Sequence, residues 1–247
     1  MGVRSKDGSV VFEYHLTSTA EFWRRFGGPP PLAGKRVLDF GASTGGMLQR
    51  LLELGAAEVV GVDINPRAVG YGQERLKPYG DRARLILGDV RTLDIGEFDM
   101  IVSQNVLEHV MPLEEVVQAV VAKARPGADI YFGFSPMWYS PYGHHQYPPT
   151  KIPWYHLIFG EQAVLDAMYR TSGNRFADIH DAGFNKATPD EFEAVFRRLP
   201  VDIVSLRRNV VSSGWKQALA GLFTPIARLP GLRKYLTVSI YAHMRKR

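Results

Sequence analysis

Three aspartates and a run of small residues carry most of the chemistry that can be read from this chain. Asp39, Asp63 and Asp89 each stand at or near the end of an apolar run, in RVLDF, AAEVVGVD and ARLILGD. Between the first two lies GASTGG, residues 41–46. Gly41, Gly45 and Gly46 allow a sharp turn whose backbone can approach a ligand closely, where a Cβ would intrude. A helix that follows such a turn presents unpaired N–H groups to whatever occupies it. Asp63, twenty-two residues after Gly41, can accept hydrogen bonds from both hydroxyls of a ribose. Asp89 is placed to accept from an adenine amino group, Val90 to donate its backbone N–H, and Ile64 to pack against the adenine face. Together these groups describe a nucleoside site.

The elements that must position them alternate. Strands are expected at 36–41, 57–63, 84–88, 98–104 and 128–134, with helices at 45–55, 66–77 and 112–124. Pro66 and Pro112 fall in the first turns of their helices, where a missing N–H costs nothing. The strands are continuous apolar runs, as expected when both faces are covered. Such alternation predicts an α/β fold with a doubly wound parallel sheet. Right-handed crossovers put every strand's C-terminal end on one edge, where ligands bind. That edge gathers Gly41 with Ala42, Ser43 and Gly45, then Asp63 and Ile64, then Asp89 and Val90. The fourth strand adds Asn105 and the turn Val106 to Val110.

Ser43 stands where a dinucleotide fingerprint requires its second glycine, so the turn suits a ligand without a pyrophosphate. The pattern Asp39-x-Gly41-x-Ser43-x-Gly45, with FDMIVSQNVLEHV at 98–110, resembles the class I S-adenosylmethionine-dependent methyltransferases. Their first motif is acid-x-Gly-x-Gly-x-Gly, from which Ser43 departs at one glycine. The resemblance implies a Rossmann-like, seven-stranded, mostly parallel sheet with its last strand antiparallel, formed by a single domain over 1–247. It implies S-adenosyl-L-methionine as cofactor, with Asp63, Ile64, Asp89 and Val90 in the roles given above. It also implies a helical cap over 1–30, through which Tyr14 and His15 could touch ligand, and an inserted acceptor-site or lid region over 135–185. His109 either shapes the cofactor pocket or acts directly as a base. No cluster with metal-ligand spacing lies near it, and no metal is expected.

Residues 135–159 are rich in aromatics, Pro and His, too long for a simple connection. His144 or His145 is the candidate general base there, against the plainer reading of a packed structural loop. His180 and Asn185 are further candidate acceptor contacts. A helix is expected over Glu161 to Arg170. Thr188-Pro189-Asp190-Glu191 signals another, with a capping box. Strands are expected at 201–210 and 236–244. Thr19 is read as the cap of a helix starting at Ala20, and residues 1–10 as a frayed terminus.

The chain holds 247 residues and no cysteine, which excludes disulfides, thiolate metal sites and a cysteine nucleophile. No secretory signal and no membrane-length apolar run is read, so a cytoplasmic protein is expected. Nine bases and no acid follow Asp202, so residues 1–202 carry a net −4 against +5 for the whole. Such asymmetry suggests an anionic partner. The apolar, basic segment 215–235 is a candidate for peripheral membrane contact, internal packing or a homodimer contact. The expected reaction is O-methylation of a small-molecule, sugar or lipid-linked acceptor. An RNA- or protein-modifying methyltransferase and a non-catalytic cofactor-binding protein are the alternatives. Nucleic acid is the less expected partner because no separate binding module or stacking platform is visible.

Overall fold

The computed structural model describes residues 7–145, 147–148, 150–209 and 231–247. Helix α1 (Gly8–Phe26) precedes an alternating core: β1 (Arg36–Phe40), α2 (Gly46–Glu53), β2 (Glu58–Asp63), α3 (Pro66–Leu76), β3 (Ala83–Leu87), β4 (Phe98–Gln104), α4 (Leu113–Ala122) and β5 (Ala124–Phe134). Then follow α5 (Tyr155–Ile158), α6 (Glu161–Ser172), α7 (Pro189–Arg198), β6 (Val201–Arg208), α8 (Arg233–Leu236) and β7 (Ile240–Lys246). The sheet has seven strands in the order β3-β2-β1-β4-β5-β7-β6. Pairs among β1 to β5 are parallel, and β7 runs antiparallel to both β5 and β6. Strand order reverses between β1 and β4, which opens a crevice at their C-terminal ends.

Each face of the sheet carries its own core. On one, Phe22 and Trp23 of α1 pack with Leu48 and Leu51 of α2 and Val59 and Met100 of the sheet. On the other, Val117 and Val120 of α4 and Phe192 and Phe196 of α7 pack with Ile101, Ile130 and Phe132. A satellite cluster of Trp138, Val164, Met168, Ile179 and Phe184 holds the region after β5 together. Among the described residues, no helix is long and apolar enough to cross a membrane.

Several boundaries differ from the sequence expectation. Thr19 does not cap a helix. Its hydroxyl donates back to the His15 carbonyl at 2.7 Å inside α1, whose N-cap is Asp7, accepting from Ser9 N at 2.8 Å. An early Asx cap outcompetes the later Thr, so the segment from Gly8 onward is helical rather than frayed. Strand β5 begins at Ala124, four residues before the expected start, because Ala124 pairs with Phe98 across a bulge. The last strand begins at Ile240, since α8 takes residues 233–236. The capping box at Thr188 and Glu191 is present, as read from the sequence. Most of segment 215–235 lies outside the described residues.

The acid-free end of the chain finds its counterions in earlier elements. Arg208 and Arg233 reach the buried Glu193 of α7, Arg233 also reaches Asp190, and Arg245 donates to Asp129 at 3.1 Å. Arg247 lies 3.3 Å from Asp202.

Helix α1 sits directly on the start of α2. A Cβ on Gly46 would lie 2.2 Å from the Phe12 carbonyl oxygen and 2.8 Å from Leu16 N, both rigid backbone atoms. Gly46→Ala is therefore expected to cost about 1–3 kcal/mol, as overpacking does. Gly70→Ala in α3, whose added methyl meets nothing within 4 Å, is expected to stabilise by up to about 1 kcal/mol. Urea unfolding of the two variants checks this contrast. Equal effects would show that α1 does not bear on α2.

Candidate active site

The crevice at the β1–β4 switch is a cavity of about 700 Å³, within the roughly 300–1,000 Å³ usual for small-molecule sites. Its wall contains Asp39, Gly41, Ala42, Ser43, Asp63, Ile64, Asp89, Val90 and Asn105, nine of the ten residues singled out as nucleoside contacts. The tenth, Gly45, is not in the wall. It is the N-cap of α2, and its α-carbon faces Leu76 and Leu85 in the interior.

Backbone geometry shapes the floor. Gly41 has φ 78°, and a Cβ there would lie 2.2 Å from Val106 Cγ2. Only glycine satisfies both constraints. Ser43 and Asn105 adopt the left-handed region at φ 50° and 55°, which re-aims the chain after β1 and β4. Asp63 then joins two strand tips. Its Oδ2 accepts from Ser43 N and its Oδ1 from Asn65 N, each at 2.8 Å. Gly88 N donates to the Asp63 carbonyl at 3.0 Å, which brings the β3 tip alongside. Ser103 Oγ donates to the Phe40 carbonyl at 2.8 Å and fixes β4 against β1.

The two central carboxyl groups are unlike. Asp39 is 3% exposed. Burial, reinforced by the negative charge of Asp63, pushes its carboxyl up to about 8. Asp89 is held by the Arg91 guanidinium at 2.6 Å and by Arg91 N at 2.9 Å, and these contacts lower its pKa. Ile64 is 77% exposed on the cavity rim. An apolar side chain so placed offers a surface for a flat ring.

The histidines separate clearly. His109 lies in the cavity wall with its side chain exposed there. Its Nδ1 is 2.7 Å from the Gly183 carbonyl. A carbonyl only accepts, so Nδ1 carries the proton and Nε2 keeps its lone pair. The side chain is open to the cavity, yet the protein packed around it disfavours the imidazolium and lowers its pKa. His145 and His144 are not in the wall. His145 packs edge-on against His109 at 4.9 Å and donates from Nε2 to the Pro136 carbonyl at 3.0 Å. His144 is wholly buried beside Tyr155 and His156.

From the later part of the chain, His180, Asp181 and Gly183 reach the wall. Asn185 does not. Its Nδ2 donates to the carbonyls of Leu107 at 2.6 Å and Val110 at 3.1 Å, pinning the turn that carries His109. Tyr14 and His15 of α1 also line the cavity. Val11, Met47 and Met111 also line it. Sequence reasoning missed these three because an apolar side chain beside a cavity has no signal that distinguishes it from core. Among the described residues, no group of three or more His, Cys, Asp or Glu could hold a metal ion.

Residues 37–127 match the family described as a methyltransferase domain. Over 104 residues the chain is 33% identical to a ubiquinone biosynthesis O-methyltransferase of Aromatoleum aromaticum, a match covering 41% of this chain and 44% of that protein. The matched part thus spans less than half the length of this relative. Among solved structures, an S-adenosylmethionine-dependent methyltransferase from Mesorhizobium loti is similar, with a TM-score of 0.63 and 16% identity over 94% of this chain and 100% of that one. Magnesium protoporphyrin IX methyltransferase from Synechocystis, with bound SAH, reaches a TM-score of 0.51 at 15% identity, covering 98% and 100% of the two chains. At these identities the structural likeness establishes the fold.

Within the matched segment, Glu108 is the residue least at ease. Both carboxyl oxygens are buried and make no hydrogen bond of normal geometry. Burial pushes the group up to about 8, and the nearby amides of Glu108 and Ser135 offset this only in part. The unfolded chain loses this proton near its ordinary value, while the folded chain retains it up to about 8. Stability therefore falls as pH rises across that window. Glu108→Gln should flatten the fall. Thermal melts between pH 4 and 8 are expected to show little difference from the parent at the acid end and a relative gain that grows toward pH 8. Parallel melting profiles for the two proteins would contradict it.

Proposed function

We propose that the chain is a class I S-adenosylmethionine-dependent methyltransferase that methylates a hydroxyl group of a small molecule, with His109 as general base. The observation that carries this reading is the convergence of Asp39, Gly41, Asp63, Ile64 and Asp89, from three strand tips, on one cavity whose wall also holds His109. The residues fit S-adenosylmethionine. The space beside Gly41 admits no side chain, the Ile64 face is open for a base, and the Asp63 carboxylate retains acceptor capacity beyond its two backbone bonds. Asp89 and Val90 complete the rim for the base.

When bound, the cofactor supplies a sulfonium methyl that is already activated toward nucleophiles. The protein's work is then alignment, exclusion of water and proton removal. Tyr14 and His15 of α1 close one side of the cavity, and Met111, His180 and Asp181 bound another. Between them an acceptor hydroxyl can lose its proton to Nε2 of His109, whose Nδ1–H is anchored on the Gly183 carbonyl. His145 supports the His109 ring rather than touching the acceptor. The chain spans only part of the curated relatives, and the apolar side chains of the wall support a small organic acceptor.

Two outcomes test this reading. Calorimetry is expected to show binding of S-adenosylmethionine and no binding of nicotinamide dinucleotides. Because burial and the charge of Asp63 push the Asp39 carboxyl up to about 8, a cationic ligand in the same cavity should drive proton release. Affinity should rise with pH between about 6 and 8, by at most about tenfold per unit for one proton. In Asp39→Asn that rise should vanish. Binding that is independent of pH in the parent would remove this role of Asp39.

For catalysis, His109→Gln is expected to lower kcat by about 10²–10⁴, with cofactor affinity little changed. The parent should also show an acidic limb in kcat centred below the ordinary histidine value, since His109 must be neutral to act. A limb that persists in His109→Gln and disappears in His180→Gln would transfer the role to His180.

A further inference from the structure

Two long stretches of this chain contain no acid: residues 130–160 and everything after Asp202. They lie apart in sequence, and the fold brings them together. Met137 N donates to the Val238 carbonyl at 2.9 Å, and Trp154 Nε1 donates to the Tyr235 carbonyl at 3.2 Å. The ring of Tyr139 meets that of Tyr235 edge-on at 6.2 Å.

At this junction apolar side chains face outward. Ile158 is 63% and Phe159 55% exposed at the end of α5, Ile152 and Leu157 are exposed in the same segment, and Leu232 is exposed just before α8. The nearby charge is basic. Lys151 is exposed next to Ile152, and the Lys234 ammonium sits 4.7 Å from the Tyr139 ring centre and 5.0 Å from that of Tyr235. Among the described residues, no ion pair with an acid engages Lys151 or Lys234, whereas Arg233 beside them is held by Asp190 and Glu193. Glu161, the first acid after α5, is occupied by Lys186 at 2.6 Å.

We propose that the α5 face, Ile152 to Phe159 with Leu232, Lys151 and Lys234, docks on an anionic lipid surface. Apolar residues beside lysines that, among the described residues, have no acidic partner match the two components of such a surface, hydrocarbon at shallow depth and negative headgroups. The absence of acid from both contributing stretches removes the repulsion that would oppose approach. A second protein copy would bring the same positive charge onto itself, which disfavours self-association through this face. The inference does not depend on the methyltransferase reading, because none of these residues lines the cavity.

Co-flotation with vesicles tests it. The full chain should float with phosphatidylcholine vesicles doped with phosphatidylglycerol and stay behind with phosphatidylcholine alone. High salt should weaken the doped-vesicle binding. The double substitution Ile158→Asp with Phe159→Asp should reduce partition by about tenfold or more. Val204→Asp, at an exposed apolar position in the middle of the edge strand β6, should leave it unchanged. Circular dichroism melts and S-adenosylmethionine binding are measured on the same preparations, so loss of partition with both intact supports docking. No flotation, flotation that the double substitution leaves unaltered, or a dimer in solution that the double substitution dissociates without any vesicle binding would each overturn the proposal.

Discussion

The site depends on one carboxylate. Asp63 accepts the N–H groups of Ser43 and Asn65 and so ties the turn after β1 to the tip of β2. Hydrogen bonds to a charged acceptor contribute about 1.5–3 kcal/mol each, enough to hold Ser43 in its left-handed conformation. A carboxylate offers about four lone-pair directions, so acceptor capacity remains for two hydroxyls. The same negative charge helps to keep its neighbour Asp39 protonated. One carboxyl therefore organises backbone, while the other is buried and pushed up to about 8.

The N-terminal helix completes the cavity from outside the core alternation. Its approach is set by Gly46, where the backbone of α1 occupies the space of a side chain. Tyr14 and His15 reach the cavity for that reason, about two turns before the buried Phe22–Trp23 anchor that fixes α1 on the sheet. From the later part of the chain, Asn185, behind the wall, and Gly183, in it, anchor the β4 turn through its carbonyls and through His109. The site is thus built on the sheet edge and closed by two segments, one before it in sequence and one after.

The strands and the tips that line the cavity were legible because their signals are local. Apolar runs ending in Asp39, Asp63 and Asp89 announce both strand and tip, and the alternation fixes which edge the tips share. The helix start at Asp7 was less legible, since Thr19 also offered a cap; the Asp7 cap and the packing of α1 on α2 decide between them. The histidines were the least legible. Their sequence neighbours mark 144 and 145 as chemistry, but burial removes His144 from the cavity and puts His145 behind His109. The charge asymmetry read from the C-terminal stretch was only half informative. Most of its described arginines are spent on Glu193, Asp129 and Asp202, and what distinguishes the remainder is position beside exposed apolar groups rather than number.

The most direct measurement of the central claim is a crystal structure with S-adenosylhomocysteine, the product left after methyl transfer. The account predicts ribose hydroxyls on the Asp63 carboxylate, the base against Ile64 with its edge toward Asp89 and Val90, and the sulfur on the side of the cavity that holds His109. A ligand seated elsewhere on the molecule, or one in this cavity whose ribose leaves Asp63 untouched, would contradict it.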